Sequence, residues 1–96
     1  MPAYVIGDIT VNDPGRYADY TVHTESTLEP FGGRFVVRGG PHEVAEGAWR
    51  PGRLVVIEFP DMDAARGWYA SEAYAAILPI RQEASTGSLV FVEGSA

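Results

Sequence analysis

The chain has 96 residues, the size of one domain, with seven arginines, no lysine, thirteen acidic residues and no cysteine. The net charge of −6 disfavours nucleic-acid and anionic membrane partners. The absence of cysteine excludes disulfides, thiolate metal sites and thiol nucleophiles. No apolar stretch approaches the roughly 20 residues of a membrane-spanning helix, so we expect one cytoplasmic domain over residues 1–96.

The first third of the chain predicts a strand, a helix and a second strand. Residues 4–11 are rich in β-branched side chains, as strands are. Asp13 and Pro14 are typical of the start of a helix. Aromatic and apolar residues then recur at helical spacing as far as Phe31, and residues 34–38 predict the second strand.

Residues 53–59 predict the third strand, and the Pro51-Gly52 pair before it predicts a type II turn. Residues 42–49 are expected to pair with this strand through that turn. Because such a hairpin uses the whole third strand, residues 35–39 would have no partner in their own chain. We therefore expect residues 35–39 to pair with a strand of a second subunit, unless a bulge at the glycine pair after them shifts the register.

The last third of the chain predicts two short helices and a strand. Asp61 and Ser71 can each cap a helix, and residues 88–93 predict the last strand. The order β-α-β-β-α-β is the ferredoxin-like α+β arrangement, a four-stranded antiparallel sheet with helices on one face.

Both faces of the first and third strands are apolar, whereas a sheet with one face in water alternates apolar and polar residues. The predicted helices cover one face. We therefore expect a second copy of the chain to cover the other face and form a two-fold homodimer.

Several short motifs follow one another in order over essentially the whole chain: Phe31-Gly32-Gly33, Arg38-Gly39-Gly40, Glu46-Gly47-x-Trp49, the strand 53–59, and Trp68-Tyr69-x-Ser71-x-x-Tyr74 with Arg81. In these motifs the sequence resembles the family called domain of unknown function 1330, of the dimeric α+β barrel superfamily. The resemblance implies a homodimer whose two sheets pack face to face into a barrel, and it implies no established activity. More distant members of the superfamily include cofactor-free oxygenases, isomerases, haem-binding enzymes and plain ligand binders.

Three charged residues, Asp8, Arg38 and Glu58, interrupt strands that are otherwise apolar, where an unpaired charge is costly. The first and third strands are neighbours in this fold, so Asp8 and Glu58 are expected to face the same space. Two carboxylates close together raise the pKa of one of them, which suits a general acid or base. The alternative is a structural arginine–carboxylate pair that fixes the register of the dimer.

His23 is the third candidate for proton transfer. It follows Asp19 by four residues and Tyr20 by three, so the three side chains can touch on one helix face. A neighbouring carboxylate orients an imidazole and raises its basicity, and a histidine that faces the sheet could act as a base or even as a haem ligand. The alternative is an ordinary exposed histidine.

Arg38 is the candidate anchor for a substrate carboxylate, which a guanidinium binds with two hydrogen bonds. The alternative makes it the salt-bridge partner of Glu46 or Glu58. Candidate ligand-binding aromatic residues are Tyr20, Trp49 and Trp68, which suit a flat apolar ligand or, alternatively, the core and the dimer interface. No metal-binding or phosphate-loop pattern is present in the sequence, so we predict neither a metal nor a cofactor.

These residues support two hypotheses about function. In the first, a pocket between sheet and helices binds a small organic acid or an aromatic compound for a cofactor-free isomerisation or oxygenation, with Arg38 as anchor and Glu58 or His23 as proton acceptor. In the second, the protein is a non-catalytic dimeric ligand-binding or accessory module, and its interior charges are structural. An open cavity with Glu58 or His23 on its wall favours the first hypothesis, and a collapsed interior favours the second.

Overall fold

The computed structural model describes residues 1–95, which form one four-stranded antiparallel sheet with helices packed on one side. The elements are β1 (Ala3–Val11), α1 (Pro14–Leu28), a short 3-10 helix (Glu29–Phe31), β2 (Arg34–Arg38), β3 (Arg53–Phe59), α2 (Met62–Tyr69), α3 (Glu72–Ala84) and β4 (Ser85–Glu93). The strand order in the sheet is β2-β3-β1-β4. The predicted ferredoxin-like α+β fold is confirmed.

Side-chain caps set the starts of the three α-helices. The side chains of Asp13, Asp61 and Ser71 accept hydrogen bonds from the backbone amides three residues later, at 3.1, 2.8 and 3.2 Å. Each bond satisfies an amide that has no partner within its own helix. The predicted helix starts are therefore confirmed at the residues that carry the signal.

The two faces of the sheet differ in burial. Alternate residues of β1 and β3 point into the helices, and Val5, Ile57 and Phe59 are at most 3% exposed there. The residues between them point to the other face, which we call the open face. Its apolar members are Ile6, Val37, Leu54, Val56, Val90 and Val92, all half-buried or exposed.

The pairing of β2 corrects the predicted hairpin. Phe35 lies opposite Ile57 and Arg38 opposite Val55, so β2 pairs with β3 of its own chain, and a bulge lies between Phe35 and Val37. Residues 42–49 contain no strand. The chain leaves the sheet after β2 because Gly39 adopts a left-handed conformation, with φ of 72°. The expectation that residues 35–39 pair with a second subunit is therefore wrong.

The predicted type II turn at Pro51-Gly52 is also wrong, because that turn needs a positive φ at Gly52 and this glycine has none. Glycine is required here for a different reason. A Cβ atom at this position would lie 2.6 Å from the carbonyl oxygen of Ile9. The Gly52 amide donates a hydrogen bond of 2.9 Å to the Asp8 carboxylate, which holds the chain against β1.

None of the helices in residues 1–95 combines the length and the apolar character that crossing a bilayer requires.

Candidate functional site

A small cavity lies between the helix-covered face of the sheet and the three α-helices. Its free interior is about 30 Å³, which is space for roughly two water molecules. The apolar part of its wall is formed by Ile9, Phe35, Val55, Ile57, Trp68 and Leu89. The cavity can enclose a small ligand on several sides, between the sheet and the helices.

Three tyrosines from the helices line the cavity. The hydroxyls of Tyr20 and Tyr74 are joined by a hydrogen bond of 2.9 Å, and the ring of Tyr17 lies 5.5 Å from that of Tyr20. Burial raises the pKa of Tyr20, and it also raises the pKa of Tyr17, where the Arg53 charge opposes part of the effect. Both hydroxyls are therefore neutral at physiological pH and available for hydrogen bonding.

Three arginines, Arg38, Arg53 and Arg81, also line the cavity, and no aspartate, glutamate or histidine lies among its lining residues. The Nε of Arg81 donates to the Tyr74 hydroxyl at 3.3 Å. The Nε of Arg53 is buried and has no hydrogen-bond partner among residues 1–95. A buried polar group without a hydrogen-bond partner is costly, and the cavity wall carries positive charge with no negatively charged residue in its lining. Both features suit an anionic ligand.

Arg38 reaches from the edge strand β2 to helix α1. Its Nη2 donates to the carbonyl of Thr21 at 3.1 Å, its Nη1 lies 3.5 Å from the Glu25 carboxylate, and its guanidinium stacks 4.2 Å from the centre of the Phe35 ring. The observed carboxylate neighbour is Glu25 rather than the expected Glu46 or Glu58. Arg38 therefore closes the side of the cavity between β2 and α1.

Glu58 lies on the open face, outside the cavity. Directly across from it on the two neighbouring strands are Arg34 and Tyr4. The Arg34 Nε and the Tyr4 hydroxyl donate to it at 2.9 and 3.1 Å. Hydrogen bonds from Arg34 and then Tyr4 lower the pKa of Glu58. Glu58 thus joins three strands as an ionised acceptor.

Asp8 also lies on the open face, where it holds the loop of residues 40–52. Its carboxylate accepts a hydrogen bond of 2.7 Å from Nε1 of Trp49 in addition to the bond from Gly52. In the register of β1 and β3, Asp8 is four residues from the position opposite Glu58, or about 13 Å along the strands. The structure therefore does not bring the two carboxylates together.

The remaining predicted site residues divide between the cavity and the surface. Tyr20 and Trp68 line the cavity with Arg38, and Trp68 Nε1 donates to the Thr27 hydroxyl at 3.0 Å. His23 is exposed on α1, and Trp49 is 59% exposed on the loop held by Asp8. Of the seven predicted site residues, the structure places three on the cavity wall.

Sequence reasoning did not single out Arg53 and Arg81 as site residues, although a signal for both was present. Arg53 begins β3 and alternates with Val55 and Ile57, so the period of two places it on the helix-covered face. Arg81 follows Tyr74 by seven residues, which is two helical turns, so the two share a face of α3. In both cases a charged residue recurs with the same spacing as buried core residues, and this pattern predicts that its side chain points into the interior.

Among residues 1–95, no group of three or more histidine, aspartate or glutamate side chains is arranged to hold a metal ion.

Comparisons with known proteins agree with this fold. The model of the family described as domain of unknown function (DUF1330) matches residues 2–95. Among curated proteins, none matches the sequence significantly.

Solved structures with a similar fold include RPA0582 from Rhodopseudomonas palustris, described as a protein of unknown function, with a TM-score of 0.78 and 17% identity over 99% of this chain and 83% of that one. SnoaB from Streptomyces nogalater, described as a cofactor-independent oxygenase, has a TM-score of 0.67 and 18% identity over 99% and 94% of the two chains. A structure described as an antibiotic biosynthesis monooxygenase has a TM-score of 0.56 and 17% identity over 100% of both chains. At these identities the likeness establishes the fold alone.

Proposed function

Because the chain belongs to the DUF1330 family, whose description assigns no activity, we propose its function from the cavity: the protein binds a small organic acid between the sheet and the helices. The observation that carries the proposal is a cavity wall with three guanidiniums and no carboxylate. A guanidinium in a partly water-excluded site gains more from an anion than it would in water. The apolar part of the wall suits the hydrocarbon part of the ligand.

The size of the cavity favours a compact acid over an aromatic one. An apolar cavity of about 150 Å³ holds a benzene ring, whereas the free space here is about 30 Å³. An aromatic acid therefore requires Arg38 and Phe35 to move away from the side of the cavity. A short aliphatic acid needs a smaller displacement of the wall.

Pairs of molecules that differ in charge but hardly in shape test this proposal. Propionate and propionamide, or benzoate and benzamide, are added to the protein, and heat release and melting temperature are measured. We expect the acid of a pair to bind and raise the melting temperature, while its neutral amide does not. Equal responses to acid and amide, or no response to either, would contradict anion binding.

The second candidate function is a cofactor-free isomerisation or oxygenation of the bound acid. Two features favour it: guanidiniums and neutral tyrosine hydroxyls line the space where an oxyanion would form on the ligand, and the fold is similar to that of a cofactor-independent oxygenase. Neither Glu58 nor His23 lies on the cavity wall, so neither would contact a ligand bound there. Their role as proton acceptors stays a prediction. This is why we place binding before catalysis.

Hydrogen exchange on a bound 2-oxo acid tests the catalytic candidate. If the cavity stabilises an enolate, water takes a C3 proton from bound 2-oxobutyrate and the enolate takes up a deuteron from D2O. The C3 protons should then be replaced by deuterium faster with protein than without it, as followed by proton NMR. Tyr20→Phe should slow this exchange roughly 100-fold, whereas Tyr69→Phe, outside the cavity lining, should not. Binding without accelerated exchange would leave the non-catalytic module as the function.

We also propose that two copies of the chain pack through their open faces. The apolar residues on that face, among them Val90 at 54% exposure and Val92 at 40%, support this arrangement. A sheet face that carries six half-buried or exposed apolar side chains is typically covered in the assembled protein.

A further inference from the structure

We infer that Arg53 is the residue that holds the carboxylate of the ligand, and that Arg38 closes the cavity without serving as the anchor. This inference rests on the proposed function and names the anchor within the same site. The ligand group it specifies is a monocarboxylate. It is bound side-on by the Nε and one terminal nitrogen of the Arg53 guanidinium once the cavity wall moves apart and exposes the Nε.

The first support is the unused hydrogen-bonding capacity of Arg53. Its Nε is buried without a partner among residues 1–95, while Arg81 uses its Nε on the Tyr74 hydroxyl. None of the ion pairs found within residues 1–95 includes Arg53. A carboxylate from a ligand supplies both the charge and the acceptor that this guanidinium lacks.

The second support is the way in which the backbone holds Arg53 in place. A Cβ atom at Gly39 would lie 2.7 Å from the central carbon of the Arg53 guanidinium, so the backbone at Gly39 lies directly against it. The Gly39 amide donates to the Leu54 carbonyl at 2.7 Å, which fixes this position at the end of β2. On another side, the Tyr17 ring lies 5.8 Å from the guanidinium. A guanidinium held in this way loses little freedom when a ligand binds.

The third support is that Arg38 is already engaged. It donates to the Thr21 carbonyl and lies beside the Glu25 carboxylate, so a ligand bound there would compete with contacts made within the chain. Glu25 is also negatively charged and would repel an incoming acid. Arg53 forms no ion pair within residues 1–95, and the Tyr17 hydroxyl beside it is neutral.

The test measures propionate binding by calorimetry in five variants, Arg53→Gln, Arg53→Lys, Arg38→Gln, Arg81→Gln and Arg66→Gln, beside the wild-type chain. We expect Arg53→Gln to weaken binding by about 10- to 100-fold, since it removes a charged, two-point contact. Arg53→Lys should restore only part of the affinity, because an ammonium cannot bind side-on. Arg38→Gln and Arg81→Gln should each weaken binding less than Arg53→Gln does, and Arg66→Gln, whose side chain lies outside the cavity lining, should leave the affinity unchanged.

A pair of glycine variants gives a second measurement that leaves every charge in place. In Gly39→Ala the new methyl group meets the Arg53 guanidinium, whereas a Cβ atom at Gly47, which also has a positive φ (94°), meets nothing within 4 Å. Both substitutions strain the backbone in the same way, so we expect Gly39→Ala to lose propionate affinity and Gly47→Ala to keep it. This comparison decides the matter if Arg53→Gln does not fold.

The outcomes separate the inference from the function on which it rests. If the wild-type chain binds no carboxylate, the proposed function fails. If it binds propionate, and Arg53→Gln or Gly39→Ala keeps that affinity while Arg38→Gln loses it, the function stands and Arg38 is the anchor. The melting temperature without ligand adds a further check. Removing an uncompensated guanidinium should not lower that temperature, whereas removing a purely structural one should.

Discussion

At the scale of single residues, Asp8 shows how a charge predicted to be catalytic can have a structural task that depends on pH. Hydrogen bonds from Trp49 and Gly52 lower the pKa of Asp8 below its ordinary value of 3.8. The ionised form therefore favours the docked loop of residues 40–52. That contribution is fully present above pH 3.8 and is lost as the pH falls through the lowered pKa of the folded protein.

The measurement is the NMR signal of the Trp49 indole N–H. At neutral pH we expect a protected signal shifted by the hydrogen bond, which should move towards the position of a free indole N–H as the pH falls through the lowered pKa of Asp8, below 3.8. Asp8→Ala should show the acid behaviour already at pH 7. Glu58→Gln is the matched control, because Glu58 lies on the same face but does not contact Trp49, and it should leave the signal unchanged. A protected Trp49 signal in Asp8→Ala would show that the carboxylate does not hold the loop.

At the scale of secondary-structure elements, the predictions that succeeded depend on residues close together in sequence. The starts of the three α-helices follow from Asp13, Asp61 and Ser71, each acting on an amide three residues away. The pairing of β2 depends on a bulge between Phe35 and Val37. No local pattern specifies that bulge, and a shift of one residue changes which side chains face the helices.

The predictions for the candidate site also divide into those that rest on local sequence spacing and those that depend on strand register. Tyr20 and Trp68 could be placed near a pocket because helical spacing and ring size favour buried faces. The separation of Asp8 from Glu58 depends on the register between β1 and β3, which residue types alone do not reveal. Arg53 escaped prediction because a charge at the first residue of a strand usually faces water, whereas here the backbone at Gly39 folds over it.

At the scale of the whole molecule, the open face decides whether the chain acts alone. Sheets that pack face to face lie about 10 Å apart and exclude water between their side chains. If two copies pair in this way, the wild-type chain should sediment with twice its monomer mass at micromolar concentration. Val90→Glu should weaken the dimer by about 100-fold or more, because each interface would then bury two carboxylates without partners.

The control for that substitution lies on the opposite side of the molecule. Val22 is 71% exposed on α1, more than Val90 at 54%, yet it is not on the open face. Val22→Glu therefore adds the same charge to a more accessible valine and should leave sedimentation unchanged. If both variants dissociate alike, the added charge rather than its position is responsible. If the wild-type chain stays monomeric at high concentration, the open face is exposed to water, and the proposal that two copies pack through it is wrong.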